Sequence, residues 1–240
     1  MKELHPNKGL RIFDIKWEVT TAGPSPNNKR IEVFLLGCEK AMNGNPCKGC
    51  FNNVTWDKSL ATIARDPIEI ADMINEKCDP NNKYITIGGG EPTDQLDYLI
   101  PFVKRLKEHD FHIIMYTWRQ VQKIMELTHI SYDLYMQNPE NKIFKELFFA
   151  TKFREAVKYI DIIVDGEYKE EERLWDISNS NTARNFVGSG NQVIWNLTSP
   201  SYYGYALKDI ENLSILKEDS DGEKNILCFK VKSSAQLYLT

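Results

Sequence analysis

The chain alternates between short apolar runs and longer segments whose apolar positions recur at helical spacing. The first run, at residues 31–36, is rich in β-branched residues and ends at Gly37, which is typical of a mostly buried strand. Asp66 and Pro67 suit an N-cap and a first helical position, and the apolar positions after them predict a helix that ends near Asp79. Further strands are predicted at 84–87, 111–116, 159–164 and 192–195, and further helices at 96–108, 120–127 and 143–156.

This alternation of strand and helix predicts an α/β fold, because a helical crossover places the two strands that it joins parallel in one sheet. The sheet is either open or closed into a complete or partial barrel. In both arrangements the loops after the carboxyl ends of the strands carry the chemistry. The polar motifs of this chain follow its strands in that way, so we expect them to meet at one edge of the sheet.

Composition narrows the class of protein. Hydrophobic residues make up 42% of the 240 residues, which is enough for a sizeable core and excludes a disordered chain. A formal charge of −4 disfavours a nucleic-acid or anionic-membrane partner, so a small molecule or another protein is expected instead. Because neither a signal peptide nor an apolar run of membrane-spanning length is recognisable, we expect a soluble, cytoplasmic protein.

Three cysteines, Cys38, Cys47 and Cys50, share one loop rich in Gly, Asn and Pro directly after the first predicted strand. A disulfide scaffold is not expected, since the chain holds an odd number of cysteines, and Cys78 and Cys228 lie in apolar surroundings typical of buried thiols. Structural zinc requires four ligands, and a fourth would have to come from far along the chain. Three thiolates suit an iron–sulfur cluster in which one iron keeps an open position.

A second motif, Gly88-Gly89-Gly90-Glu91, directly follows the strand predicted at 84–87. Glycines allow a ligand to approach the backbone, and a carboxylate can accept hydrogen bonds from a cationic amino group. The motif is also compatible with an ordinary strand-to-helix turn. It is not a phosphate-binding loop, because no Gly-Lys-Ser/Thr follows.

Further motifs lie at 47–57, 89–92, 115–117, 164–168 and 188–194. Together with the three-cysteine loop they resemble the radical S-adenosylmethionine (SAM) superfamily, and within it the activating enzymes of anaerobic (class III) ribonucleotide reductases. The similarity extends from about residue 10 to 197. The resemblance implies a partial (β/α) barrel of mostly parallel strands. It also implies a single domain over 1–240, with its core at about 10–197 and a C-terminal extension at about 198–240.

The resemblance implies an enzyme that reductively cleaves SAM and generates a glycyl radical on an anaerobic ribonucleoside-triphosphate reductase. The cofactors would be a [4Fe–4S] cluster and SAM, the partner that reductase, and the electron donor a flavodoxin or ferredoxin. By the same resemblance, Cys38, Cys47 and Cys50 hold the cluster. Residues at four strand ends would contact SAM, and no catalytic group beyond the cluster and SAM is required. The implied SAM contacts are Gly89, Gly90 and Glu91 at the methionine end, Gly49 and Phe51 at the nucleoside, and Thr117 and Asp165 at the ribose or amino group.

Three features depart from the resembled family. Eight residues separate Cys38 from Cys47 where the family has three, Trp118 stands where Gly is usual, and the stretch at 173–184 is long. One alternative is a 7-carboxy-7-deazaguanine synthase, although such enzymes begin with a Gln-Gly-Glu-Gly-like segment and this chain has Thr-Ala-Gly-Pro at 21–24. Another is a non-catalytic iron–sulfur or zinc adaptor, which would not bind SAM.

Overall fold

The computed structural model describes residues 8–20, 23, 25, 29–60, 64–173 and 188–198 with their side chains. It also describes the backbone of the strand segments at 3–4, 203–206, 210–214, 228–231 and 236–238. Cys228, which the sequence places in an apolar strand, begins one of these segments, and its side chain lies outside the described residues.

The strands form one large sheet and two small pairs. In chain order they are β1 Glu3–Leu4, β2 Ile12–Val19, β3 Arg30–Leu35, β4 Ala64–Arg65, β5 Tyr84–Gly89, β6 His112–Thr117, β7 Ile162–Asp165, β8 Val193–Asn196, β9 Tyr203–Ala206, β10 Ile210–Ser214, β11 Cys228–Val231 and β12 Gln236–Tyr238. The large sheet has eight strands in the order β12-β9-β8-β7-β6-β5-β3-β2, while β1 pairs with β4 and β10 with β11.

In the part of the chain that the structure describes, six α-helices accompany these strands. They are α1 Glu39–Met42, α2 Pro67–Lys77, α3 Leu96–Glu108, α4 Val121–Met125, α5 Tyr132–Gln137 and α6 Lys142–Val157. Helix α2 begins where its sequence predicts, because the Asp66 side chain accepts hydrogen bonds from the backbone N–H groups of Ile68 and Glu69. In the described part of the chain no helix combines the length and the apolarity that crossing a bilayer requires.

The centre of the sheet has the predicted α/β topology. Strands β3, β5, β6 and β7 are parallel neighbours, joined through α2, α3 and α6. Antiparallel strands flank this centre: β2 beside β3 on one side, and β8, β9 and β12 on the other. The strand predicted at 192–195 exists as β8 but runs antiparallel to β7, since no helix of the described residues crosses over between the two.

The two faces of the sheet differ in chemistry. One face carries apolar residues of the strands, such as Ile31, Val33 and Ile87, which α2, α3 and α6 cover to form the main core. On the opposite face Glu32 is in register with Thr86, and Phe34 with Gly88. This second face leads to the carboxyl edge of the parallel strands, where the sequence motifs lie.

Buried polar side chains occupy the other end of the second face. The Arg30 guanidinium donates from Nε to Thr86 Oγ1 at 2.8 Å and from a terminal nitrogen to the His112 carbonyl at 3.1 Å. Burial lowers the pKa of Arg30 to about 9 and that of His112, beside the Arg30 cation, to about 3. His112 Nε2 has no hydrogen-bond partner among the described residues, so the imidazole is neutral in the fold.

Candidate functional site

The loops that follow β3, β5, β6 and β7 enclose a cavity of about 320 Å³ at the carboxyl edge of the sheet. This volume lies at the lower end of the range of small-molecule sites. The cavity is lined by Glu32, Phe34, Cys38, Cys47, Cys50, Phe51, Asn52, Trp56, Gly88, Gly89, Gly90, Glu91, Tyr116, Thr117, Trp118, Gly166, Tyr168, Gly188 and Gln192. The structure thus brings together the two strongest sequence motifs, the three cysteines and the Gly-rich turn.

The cysteine loop is closed by its own backbone. Gly37 N–H donates to the Thr55 carbonyl at 2.8 Å, and Cys38 N–H donates to the Trp56 carbonyl at 2.9 Å. These two bonds return the chain to the end of β3 after it has passed Cys47 and Cys50. All three thiols consequently line the same cavity, whereas Cys78 is buried at the end of α2 and does not line it.

The enlarged gap between Cys38 and Cys47 folds away from the cavity. Its residues form α1 and a turn at Gly44, none of the α1 residues is buried, and Met42 is 45% exposed. Lys40 makes long-range contacts from this gap: its Nζ donates to Glu167 Oε1 at 2.9 Å and lies 5.7 Å from the centre of the Trp118 ring. Two departures from the resembled family, the long gap and Trp118, are therefore in direct contact.

The three thiols are the donor set that an iron–sulfur cluster uses. Among the described residues, no group of three or more His, Cys, Asp or Glu side chains is arranged around one point as ligands of a single metal ion. Thiolates that bind different irons of a cluster need not converge on one point. Burial raises the pKa of the Cys38 thiol to about 11 and also raises that of Cys47, so both thiols are protonated near pH 7 and a metal bound there would displace their protons.

The Gly-rich turn is joined to the loop that carries Cys38. Gly90 N–H donates to the Leu35 carbonyl at 2.8 Å, and Glu91 N–H donates to the Gly37 carbonyl at 2.7 Å. A Cβ on Gly90 would lie 2.2 Å from the Gly37 carbonyl oxygen, and a Cβ on Gly89 would lie 2.5 Å from the Leu35 nitrogen. Gly89 also has a φ of 96°. Glycine at both positions is thus required by the approach of two backbones.

The Glu91 carboxylate organises the next strand end. Its Oε1 accepts hydrogen bonds from Thr93 N–H at 3.0 Å, Thr93 Oγ1 at 2.6 Å and Thr117 Oγ1 at 2.8 Å. Its Oε2 accepts one hydrogen bond among the described residues, from Trp118 N–H at 3.1 Å. Glu91 is 1% exposed and lines the cavity, so Oε2 keeps acceptor capacity toward a ligand in the cavity.

Asp94 connects the cysteine loop to the end of β6. Its carboxylate accepts hydrogen bonds from Glu39 N–H, at the start of α1, and from the Arg119 guanidinium. Burial, followed by the nearby Glu91 carboxylate, raises the pKa of Asp94 to about 6. Sequence analysis missed this residue, although an acidic side chain in the first turn after the Gly-rich motif is a recognisable signal.

Aromatic packing holds the other side of the cysteine loop. The Phe51 ring lies 4.7 Å from the Tyr168 ring, between centres, and Phe51 and Tyr168 both line the cavity. Gly49 does not line it. Gly49 has a φ of 73°, and a Cβ there would lie 2.3 Å from a carboxylate oxygen of Glu170, so glycine at this position lets the loop pack on the segment after β7.

Thr117 ends β6 and Asp165 ends β7, and only the first of these two side chains reaches the cavity. Thr117 lines it, through the strand end that Glu91 holds. The Asp165 carboxylate does not: its Oδ2 accepts hydrogen bonds from Val121 N–H at 2.6 Å and from the Trp195 indole N–H at 3.0 Å. Burial raises the pKa of Asp165 to about 6, although these hydrogen bonds favour the ionised form.

Several cavity residues were not predicted from the sequence. Glu32, Phe34 and Tyr116 belong to the second face of the sheet, and alternation along β3 and β6 is the signal that could have identified them. Gln192 lines the cavity, and its amide donates to the Gly166 carbonyl and accepts from Gly188 N–H. The motif at 188–194 thereby joins the end of β7.

Comparisons with known proteins agree with this chemistry. Residues 26–195 match the family described as the 4Fe-4S single cluster domain. The chain is 27% identical over 169 residues to an anaerobic ribonucleoside-triphosphate reductase-activating protein of Haemophilus influenzae, covering 69% of this chain and 86% of that protein. It is 24% identical over 177 residues to the protein of the same name from phage T4, an alignment that covers 70% of this chain and 85% of the phage protein. A pyruvate formate-lyase-activating enzyme of Listeria monocytogenes is 27% identical over 147 residues, an alignment that covers 55% of this chain and 56% of that enzyme.

Proposed function

Because the chain belongs to the 4Fe-4S single cluster domain family, we propose that it is a radical SAM activating enzyme whose target is an anaerobic ribonucleoside-triphosphate reductase. The product of the reaction is a glycyl radical stored on the reductase. Two relatives with at least 85% of their length aligned carry the name of that activating protein, and a third activates another enzyme. The target is therefore a protein and not a metabolite.

The cofactors are a [4Fe–4S] cluster and SAM. Cys38, Cys47 and Cys50 hold the cluster, and their position around one cavity, with no fourth thiol of the described side chains in its lining, supports this assignment. When bound, the cluster and SAM supply the one-electron cleavage of a sulfonium bond and the removal of a hydrogen atom from glycine. A flavodoxin or ferredoxin is the proposed electron donor.

The Gly-rich turn receives the methionine end of SAM in this proposal. Gly89 and Gly90 present backbone without side chains to the cavity, and Glu91 offers Oε2 to an ammonium donor. Phe51 offers its ring to the nucleoside, while Gly49 sets the path of the loop and Asp165 supports the end of β7. Thr117 contacts the ribose or amino group, and Trp56, Trp118 and Tyr116 keep water from the reacting atoms.

The sheet is proposed to be a partial (β/α) barrel of the radical SAM type, in a single domain over 1–240 with its core at about 10–197. Support comes from the outermost strands, β2 and β12, each of which pairs on one side only with the strands that the structure describes. A closed barrel would surround the cavity with strands on all sides. A sheet with free edges leaves a side through which a segment of another protein can reach it.

The observation that carries the proposal is the shared cavity of Cys38, Cys47, Cys50 and the Gly89–Glu91 turn. The test is anaerobic reconstitution with iron and sulfide, followed by incubation with SAM, reductant and the reductase. We expect a glycyl-radical signal by electron paramagnetic resonance, and its loss when the target glycine of the reductase is replaced by alanine. Turnover of carboxytetrahydropterin without a protein radical would identify a deazaguanine synthase instead, and failure to bind SAM would identify an adaptor.

A further inference from the structure

A groove of about 580 Å³ lies directly beside the cavity and shares Trp118 with it. The groove runs between the loop after β6, α4 and the first turns of α6, and Glu167, after β7, completes its wall. Trp118 is therefore the boundary between the two spaces. A polypeptide that places one residue in the cavity can continue past Trp118 into the groove.

The charge of the groove is opposite to that of the whole chain. Four cationic side chains line it, Arg119, Lys123, Lys142 and Lys145, against the two carboxylates Glu146 and Glu167, whereas the chain carries a formal charge of −4. Arg119 is paired with Asp94, Lys145 with Glu140, and Glu167 with Lys40.

Lys123 and Lys142 differ from the other cations of the groove. Both are exposed, and neither makes a hydrogen bond or ion pair with any residue that the structure describes. Lys142 also begins α6, where the helix dipole adds to the positive potential. These two ammonium groups are available to an anionic partner.

The base of the groove is apolar. Ile124, Leu127 and Phe149 contribute to its lining, and the Arg119 guanidinium lies 4.7 Å from the centre of the Phe149 ring. A nucleic acid or a bare phosphate would use the cations but not this surface. A peptide that combines acidic residues with an apolar side chain would use both.

We propose that this groove binds an acidic segment of the reductase next to the glycine that enters the cavity. The inference rests on the proposed function and adds to it the chemistry of the partner segment. Binding in the groove holds that segment beside Trp118, so the glycine is positioned by contacts outside the reaction cavity. Lys123 and Lys142 pair with carboxylates of the segment, and the apolar base accepts one of its apolar side chains.

The test compares Lys123→Glu and Lys142→Glu with the matched control Lys77→Glu. Lys77 is exposed at the end of α2, at the opposite edge of the sheet, and does not line the groove. The probes are the intact reductase and a synthetic peptide that spans its target glycine, with binding measured by fluorescence anisotropy. We expect each groove variant to bind roughly tenfold more weakly than wild type. The control should bind like wild type, and only wild-type and control affinities should fall strongly as salt rises.

SAM cleavage without the reductase should be unchanged in all three variants, because none of these residues lines the cavity. Wild-type affinity in both groove variants would overturn the proposal. Equal binding of a peptide whose Asp and Glu residues are replaced by Asn and Gln would also overturn it. If wild-type enzyme cleaves SAM but gives no glycyl radical on the reductase, the proposed function fails. If the radical forms and charge reversal has no effect, only the groove proposal fails.

Discussion

Gly90 and Gly37 lie so close together at the ends of β5 and β3 that a Cβ on Gly90 would stand 2.2 Å from the Gly37 carbonyl oxygen. Gly37 immediately precedes the first cysteine, and its carbonyl accepts the hydrogen bond of Glu91 N–H at 2.7 Å. The proposed cluster site and the proposed SAM site are therefore built on one backbone contact.

Gly90→Ala should separate these two loops, because the obstructing atoms belong to backbone and cannot rotate away. We expect a loss of about 1–3 kcal/mol in the free energy of unfolding, together with poor cluster incorporation and weak SAM binding. Gly44→Ala is the control for steric contact: Gly44 has a φ of 80°, which disfavours alanine, but no atom lies within 4 Å of the added Cβ. That variant should lose about 1 kcal/mol and still assemble the cluster. Denaturant unfolding and the visible absorption of the cluster measure both effects. Normal cluster content in Gly90→Ala would contradict the coupling of the two sites.

Alanine at Cys38, Cys47 or Cys50 should abolish cluster absorption and SAM cleavage, because each thiol lines the cavity. Cys78→Ala should retain both the cluster absorption and SAM cleavage, since Cys78 lies at the end of α2 with its thiol hydrogen-bonded to the Asn75 carbonyl. Anaerobic reconstitution followed by absorption spectroscopy tests the four variants. A fully assembled cluster in Cys47→Ala would exclude the assignment of that ligand.

Glu91→Ala should weaken SAM binding about ten- to hundredfold while the cluster still assembles, because a charge-assisted hydrogen bond contributes about 1.5–3 kcal/mol. Stability should fall as well, since Thr93, Thr117 and Trp118 all donate to this buried carboxylate. Equilibrium dialysis with SAM measures the first effect and chemical denaturation the second.

Thr93→Val separates the two contributions of Glu91. This variant keeps the carboxylate and removes one of its donors, from a residue that does not line the cavity. A small effect on SAM affinity in Thr93→Val, beside a large one in Glu91→Ala, indicates that the carboxylate itself contacts SAM. Equal effects would mean that Glu91 acts only by holding the surrounding loop.

Acid should destabilise the apoprotein through His112. Its pKa is about 3 in the fold against an ordinary value of 6.5, with burial and the neighbouring Arg30 as causes. The unfolded chain binds the proton first, so His112 removes stability as pH falls below 6.5, by roughly 2 kcal/mol at pH 5.

His112→Asn, which retains an acceptor toward Arg30, should lack this part of the pH dependence. Asp165, with a pKa raised to about 6, contributes with the opposite sign between its ordinary pKa and that value. That contribution is present in both proteins, so the difference between their unfolding curves at pH 5 and pH 7 isolates His112. Identical pH dependence in the two proteins would contradict a neutral, buried imidazole.

Local pattern predicted the central elements well. Strands β3, β5 and β6 and helices α2, α3 and α6 lie within a few residues of their predicted positions, because buried strands and amphipathic helices have strong signals of their own. Strand β2 was missed, since an edge strand with mostly exposed side chains lacks the apolar signal. The direction of β8 was also missed, because pairing direction depends on a neighbour and not on the strand's own residues.

The sequence by itself determined which chemistry is available: three thiols on one loop, a Gly-rich turn with a carboxylate, and strand ends at which to place them. These features follow from residue types and short spacings, which do not depend on distant parts of the chain. Only the tertiary structure decided that the Glu91 carboxylate accepts hydrogen bonds from Thr117 and Trp118. It also decided that Asp165 accepts a hydrogen bond from Trp195 outside the cavity and that Lys40 pairs with Glu167. Each of those contacts joins residues more than 20 positions apart, and such pairs meet only once the parallel strands have set their register.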